Sequence, residues 1–453
     1  MPTTSIFSRY RRYYSSILRL GLPIMLGQLG VIITGFADTV MVGHYSTEAL
    51  ASASFVNNVF AFVMVMCMGF SYGITPIIGS LYARGETAEM GRTMRNALLL
   101  NMLFGLTALA AMMVLYAFLG DLGQPEELLP LIRPYFIVML LSNVPVLFLN
   151  AMKQFTDGVT HTSLGMWILS LGNLLNIALN YILIYGKCGM PEMGLFGAGI
   201  STLIARVLMA LGMMAVVLCS RRYKPFVAAF RSSRVSIAAM RRVWSTSIPI
   251  AIQMALETGS FTAASVMIGW LGKVPLAAYQ IMVIFGMLGF MVYYSLGASV
   301  TIKISHYHGV GDMRRVRECC AAGYHIILLF VVIACSIFYL FGEPIIRLFT
   351  SDREVVAVAV SLILPMIMYQ FGDATQVAYS NALRGLADVR PAMAIALTAY
   401  VIIGLPVCYV LGFPCGLGIV GIYISFSVSL LTAGLLFMHR FYSHFRRVRG
   451  LKI

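Results

Sequence analysis

Three carboxylates stand where chemistry is the most direct reason for a carboxylate: Asp38 in LGVIITGFADTVMVGHY, Glu257 in MALETGSF, and Asp373 in MYQFGDATQ. Each lies inside a run that is otherwise apolar or weakly polar. The other 14 of the 17 acidic residues fall in loops or near the ends of apolar runs. An ionised side chain at the centre of a bilayer costs at least about 2.5–3.5 kcal/mol on insertion scales, so each of the three needs a partner or a task. A buried carboxylate that can trade a proton for Na⁺ or for an organic cation is what cation-coupled exchange requires.

Other polar residues accompany them. SLGNLLNIALNY places Asn173, Asn176 and Asn180 at three- and four-residue spacing, along one helical face. GAGIST adds Thr202. A carboxylate, amide oxygens and a hydroxyl are hard oxygen ligands for Na⁺, or the parts of a hydrogen-bond network around a protonated aspartate. As plain interhelical links, the asparagines would contribute on the order of 0.6 kcal/mol each. Tyr369 lies one turn before Asp373, and Gln370 three residues before it, so a hydroxyl and a carboxylate share one face. Phe261 follows Glu257 by one turn, and Phe285, Phe290, Tyr293 and Tyr294 crowd the next apolar run. Aromatic faces beside carboxylates suit lipophilic cations; as structure alone they would be packing. Arg206 sits well inside an apolar run. It could balance Asp38 or another acid, or extend its stem toward an interface.

The elements that must carry these residues are membrane spans. Of 453 residues, 60% are hydrophobic and 11% charged, with a mean hydropathy of +0.87. That composition describes a polytopic membrane protein. Twelve apolar windows of the length needed to cross roughly 30 Å of hydrocarbon recur at 17–42, 50–83, 93–117, 130–152, 163–186, 195–220, 244–271, 276–307, 318–341, 355–384, 391–413 and 416–441. RYRRYY leads into a first run too long for a cleavable secretory signal, which makes that run a first span. With the amino terminus cytoplasmic, 26 of the 32 Lys and Arg fall on the tails and the even-to-odd loops. Five lie on the other side: Arg133, Lys187, Lys273, Arg347 and Arg353. This positive-inside bias puts both termini in the cytoplasm and accounts for the net charge of +15 without a nucleic-acid partner.

The spans repeat. GLPIMLGQ aligns with SIPIAIQM, placing Pro23 on Pro249, and the register continues through Gly85 on Gly311 to Gly158 on Gly385. Six spans per copy is an even number, so both copies enter from the same side as parallel repeats. The organisation read from this is 1–220 for spans one to six, a basic linker at 221–243, and 244–453 for spans seven to twelve. The linker holds seven cations and no acid between Arg221 and Arg242. It reads either as a topogenic loop or as a partly amphipathic helix across which the halves rock. The early prolines of spans one and seven bend helices, with or without a functional purpose. Of eight cysteines none forms a metal-spaced pair; Cys188 and Cys415 occupy equivalent outer loops, where a disulfide would tie the halves together. Phosphate-binding loops, nucleophile elbows and zinc motifs do not occur, so ATP-driven transport and familiar hydrolases find no support.

Five stretches in order resemble the multidrug and toxic compound extrusion (MATE) family, in its NorM-like branch: PIMLGQLGVIITGFADTVMVGH, LGNLLNIALNYILIYG, GAGIST, ALETGSF and MYQFGDATQVAYSNALRGLADVRP. The resemblance spans essentially the whole chain. It implies an all-α fold of twelve transmembrane helices in two lobes, exporting cationic amphipathic compounds in exchange for Na⁺ or H⁺. Carried over by position, Asp38, Asn176, Asn180 and Thr202 form the amino-lobe cation or proton network, with Asn173 less well supported. Glu257, Tyr369 and Asp373 form the carboxy-lobe cation or substrate site, and Na⁺ is conceivable at either set. The implied partners are small lipophilic cations and the bilayer. No cofactor beyond the coupling ion, no enzymatic activity, a monomer and a bacterial inner membrane are the accompanying expectations. A flippase for lipid-linked precursors shares the superfamily, but its phosphate-bearing substrate calls for several intramembrane cations where this chain has Arg206. A membrane-embedded enzyme or receptor would need a catalytic cluster or an extramembrane domain.

Overall fold

The computed structural model describes residues 6–122 and 125–450; 1–5, 123–124 and 451–453, the tail cation Lys452 among them, lie outside the described residues. In hydrocarbon a backbone must satisfy its own hydrogen bonds, which leaves helices as the way to run these apolar segments across. The chain accordingly folds as α1 (Ile6–Tyr45), α2 (Thr47–Tyr72), α3 (Ile74–Arg84), α4 (Thr87–Ala117), α5 (Leu129–Gly158), α6 (Thr162–Ile184), α7 (Gly194–Cys219), α8 (Lys224–Ser232), α9 (Ile237–Trp270), α10 (Lys273–Gly309), α11 (Met313–Arg347), α12 (Arg353–Ser361), α13 (Ile363–Gly385), α14 (Val389–Ala396), α15 (Leu405–Gly412) and α16 (Gly418–Gly450).

Ten of these helices or helix runs are long and apolar enough to cross a membrane, and α12 with α13, bent by 45° at Leu362, make an eleventh. The twelfth window, 244–271, lies in α9, whose 34 residues have the length to cross. Its apolar character is diluted by Gln253, Glu257, Thr258, Ser260 and Thr262. Between α14 and α15 the chain widens into a π-helical segment, Leu397–Gly404, just before Pro406, whose missing N–H removes an ordinary helical bond. Pro23 and Pro249 lie within α1 and α9 without interrupting them. Cys188 and Cys415 are free, exposed thiols.

The duplication shows in atomic detail. Thr75 Oγ1 donates to the carbonyl of Gln154 at 3.1 Å and to its Oε1 at 2.7 Å. The equivalent Thr301 Oγ1 donates to the carbonyl of Asn381 at 2.8 Å and approaches its Oδ1 at 3.2 Å. Gly158 lies against Ile78 and Gly385 against Ile304, so closely that an added Cβ would come within 3.0 and 2.8 Å of them. The loops that follow contain Thr160 and Ala387, at equivalent positions, with φ of 63° and 56°.

The compact units do not divide where the repeats begin. One comprises Pro23–Ala251, the other Met1–Leu22 with Ile252–Ile453. The start of α1 therefore packs within the unit built from the second repeat: Ile17 joins the core that contains Leu296 and Val300, and Tyr13 donates to Glu318 Oε2 at 2.9 Å. In the same way α8 and the start of α9 pack within the unit built from the first repeat. Gly91 of α4 lies directly under Ala229, Arg95 Nη1 donates to the Ser233 carbonyl at 2.5 Å, and Asn96 Oδ1 accepts from the Ser236 N–H at 2.9 Å. The two exchanges match: Gly21 lies against Ser299, and Ser247 lies against Gly73. These are equivalent contacts with glycine and serine transposed. The amphipathic α8 turns Phe226, Val227 and Phe230 onto the core beside α4, leaving Lys224 and Arg231 exposed.

Candidate ion and substrate sites

The first constellation is built by close approach of α1, α6 and α7. Gly27 and Gly30 of α1 leave room for α6, so that a Cβ on Gly30 would stand 3.0 Å from Asn173 Nδ2. Gly172 accepts the Met209 side chain, and Gly197 lies against the Leu183 carbonyl, which bring α7 onto α6. On this frame Asn180 Nδ2 donates to Asp38 Oδ1, and Ser201 Oγ donates to Asn180 Oδ1. With the Asn176 amide oriented to satisfy both ends, its nitrogen donates to Asp38 Oδ1 at 3.1 Å and its oxygen accepts the Thr202 N–H at 3.2 Å. Thr202 takes part through its backbone, since its hydroxyl donates to the Ala198 carbonyl at 3.0 Å. Asn173 packs on Gly30, and its Nδ2 has no partner among the described residues, so it stands apart from the carboxylate network.

Arg206, one turn after Thr202, resolves the alternatives left open by the sequence. Its Nη1 donates to Ser142 Oγ at 2.7 Å and to Asn143 Oδ1 at 2.9 Å, both on α5. It is within electrostatic reach of Asp38 and of Tyr135. The guanidinium is held in the helix interior and faces the carboxylate network as a fixed positive charge.

The second constellation joins α9 to α13. Gln376 Nε2 donates to Glu257 Oε2 at 3.2 Å, and Glu257 and Asp373 interact electrostatically. Asp373 is only 2% exposed, yet its Oδ2 has no partner among the described residues; neither do Gln370 Oε1 and the hydroxyl of Tyr293. Tyr369, the third predicted member, lies edge-on to Phe261 and Phe426 at centroid distances of 6.2 and 6.4 Å. The buried Arg384 is within electrostatic reach of Glu257; one cation for two buried carboxylates leaves a further counter-charge to be supplied, whether a proton or a cation.

The two constellations differ in kind. At Asp38 amide nitrogens point at the carboxylate and the amide oxygens are already taken, an arrangement that suits a carboxylate alternating with its protonated form. Around Glu257 and Asp373 several oxygens remain open, which is the hard-ligand chemistry Na⁺ or a cationic substrate uses. Sequence reading did not single out Ser201, Gln376, Ser142 or Asn143. Gln376 had a legible signal, one turn after Asp373, and Ser201 adjoins Thr202; the two α5 residues had none, because only packing brings them to Arg206.

The MatE family pattern matches residues 23–182 and again 249–410. Among curated proteins the chain is similar to multidrug resistance protein PmpM of Pseudomonas aeruginosa, 32% identical over 405 residues, 89% of this chain and 85% of that protein. It is similar also to multidrug resistance protein NorM of Vibrio cholerae, 27% identical with 96% of each covered. Among solved structures it shares the fold of an outward-facing multidrug resistance MATE family transporter, at a TM-score of 0.87 and 17% identity over 97% of each chain. A transporter of the MOP superfamily from Pyrococcus furiosus matches at a TM-score of 0.85 and 18% identity, again over 97% of each. The family pattern falls once on each structural repeat, and its two copies begin at Pro23 and Pro249, so the chain belongs to the MatE family.

Proposed function

We propose that this chain is a secondary multidrug efflux transporter, exporting amphipathic organic cations in exchange for inward H⁺ or Na⁺. The observation that carries the reading is the set of three carboxylates on membrane spans: Asp38 enclosed by donors, Glu257 and Asp373 beside open oxygens. The relatives' names as multidrug resistance proteins support it. Protonating Asp38 removes the charge that Asn180 and Asn176 hold, and so changes how strongly α1 is drawn to α6. An ion drives transport only insofar as it binds the alternative conformations unequally. Glu257, Asp373, Gln376 and Gln370 are the residues that would hold Na⁺ in the second half. Tyr369 and its aromatic neighbours would contact the lipophilic part of a substrate.

The basic loops support cytoplasmic termini in a bacterial inner membrane, and the reading needs no cofactor, catalytic step or second subunit. A precursor flippase is disfavoured because cations within the spans are already engaged: Arg206 by Ser142 and Asn143, and Lys153 by Asp157 at 2.8 Å. The test is reconstitution in liposomes with ethidium as the moving cation, under a Na⁺ gradient and a pH gradient imposed separately. The wild type should move ethidium under at least one gradient. Asp38→Asn and Glu257→Gln should insert normally and lose gradient-driven movement. Normal transport by Asp38→Asn would sink the role given to that carboxylate.

A further inference from the structure

Within the second unit, a cavity of about 350 Å³ lies between α10, α11 and α13. This falls in the range of small-molecule pockets. Its walls are aromatic: Phe285 and Phe338 meet at a centroid distance of 4.6 Å, and Phe330 lies nearby. Its mouth is rimmed by Leu288, Ile333 and Ile337, each between 47 and 50% exposed, so the cavity opens through an apolar rim on membrane spans. None of the residues lining it is ionisable at neutral pH.

The floor is polar. Gln370 and Tyr293 line it, 7% and 1% exposed, and the Gln370 Oε1 and Tyr293 hydroxyl have no partner among the described residues. Gly289 keeps this floor open, because a Cβ there would stand 2.8 Å from Gln370 Oε1 and 3.0 Å from the Tyr293 hydroxyl. Tyr293 is within electrostatic reach of Asp373, whose Oδ2 is also unpartnered. An unpartnered buried polar atom is costly, and two of them facing one aromatic cavity beside a carboxylate call for a ligand with a hydrophobic body and a positive, hydrogen-donating head.

We propose that this cavity is a membrane-side binding pocket for amphipathic organic cations, the aromatic walls taking the lipophilic body and Gln370 and Tyr293 receiving the head next to Asp373. The inference rests on the efflux reading and assigns it a ligand site separate from the carboxylates themselves. A hydrogen-donating cation such as ethidium, with its two ring amines, fits this chemistry, whereas an acyl chain would leave Gln370 and Tyr293 unpaired.

The test uses full-length protein in nanodiscs, ethidium fluorescence for affinity, and a photoreactive azide of ethidium with peptide-level mass spectrometry. Ala334, exposed on the pocket wall, is changed to Trp to fill the cavity from the membrane side. Ala334→Trp should weaken ethidium binding about tenfold and abolish adducts on α10 and α11 peptides seen with the wild type. Gly289→Ala, which narrows the floor, should weaken binding in the same direction and serves if the Trp variant does not fold. Unchanged affinity and adducts in folded Ala334→Trp would overturn the pocket while gradient-driven ethidium movement by that variant left the efflux reading standing. A phospholipid that copurifies with the wild type and is lost from Ala334→Trp at constant ethidium affinity would also overturn it, in favour of a lipid site. Failure of the wild type to bind or move ethidium would instead remove the efflux reading, and the ligand class with it.

Discussion

Arg206 is the residue whose role the structure changes most. Its guanidinium is pinned by Ser142 and Asn143 within electrostatic reach of Asp38, so it opposes the arrival of any positive ion at that carboxylate. In a medium of effective dielectric about 20 such a term is on the order of 1–2 kcal/mol. Arg206→Gln can still donate to Ser142 but carries no charge. Its half-saturating concentration of coupling ion should fall about five- to thirtyfold in flux measurements. An unchanged or higher value would show that Arg206 serves only to join α7 to α5. Ser201 acts on the same network from the other side, holding the Asn180 oxygen so that its nitrogen faces Asp38.

Among the elements, glycines at helix crossings set how closely the spans approach, and the repeats allow a controlled comparison. Gly158 and Gly385 hold equivalent crossings, but the second is tighter: an added Cβ would meet Ile304 at 2.8 Å and the Thr301 carbonyl at 3.0 Å, against 3.0 and 3.3 Å for Gly158. Overpacking of this kind costs about 1–3 kcal/mol. Gly385→Ala should therefore lower the thermal unfolding midpoint in detergent more than Gly158→Ala, and a reversed order would show that the helices relax more readily in the second repeat. The linker element is equally specific. Arg95 and Asn96 bond the backbone at Ser233 and Ser236, and Gly91 receives Ala229, so the basic segment is packed along the first unit.

At the scale of the whole molecule, each repeat closes its basic end with a side-chain tie at equivalent loop positions. In the first unit His161 pairs with Tyr223. In the second, Asp388 accepts from Arg440 Nε at 2.8 Å and Nη2 at 3.0 Å, with His444 Nδ1 at 3.7 Å. Burial raises the Asp388 carboxyl, but hydrogen bonds from His444 and Arg440 outweigh it and bring it down to about 2. A carboxylate depressed on folding contributes stability that is present above its unfolded value and is lost as pH falls through the folded one. The stability difference between wild type and Asp388→Asn should therefore be full above about pH 4 and vanish toward about pH 2, as read from unfolding midpoints across that range. A difference independent of pH would mean that the tie acts through shape rather than charge.

The sequence by itself determined the apolar helical spans, the duplication and the three carboxylates within the spans. Each is written in local order, in apolar length, periodic spacing or the high cost of charge in hydrocarbon. Asn176, Asn180 and Thr202 were legible because one helical face repeats every three to four residues. Three-dimensional packing alone decided that Thr202 joins through its N–H, that Asn173 turns to Gly30, and that Arg206 faces Ser142 and Asn143. It also decided that the start of α1 packs in the unit built from the second repeat, and that the linker helix α8 and the start of α9 pack in the unit built from the first. A sequence records what each residue can bond. Which of several equally capable partners it meets depends on contacts between distant helices, and these follow from glycine and side-chain fit across the crossings.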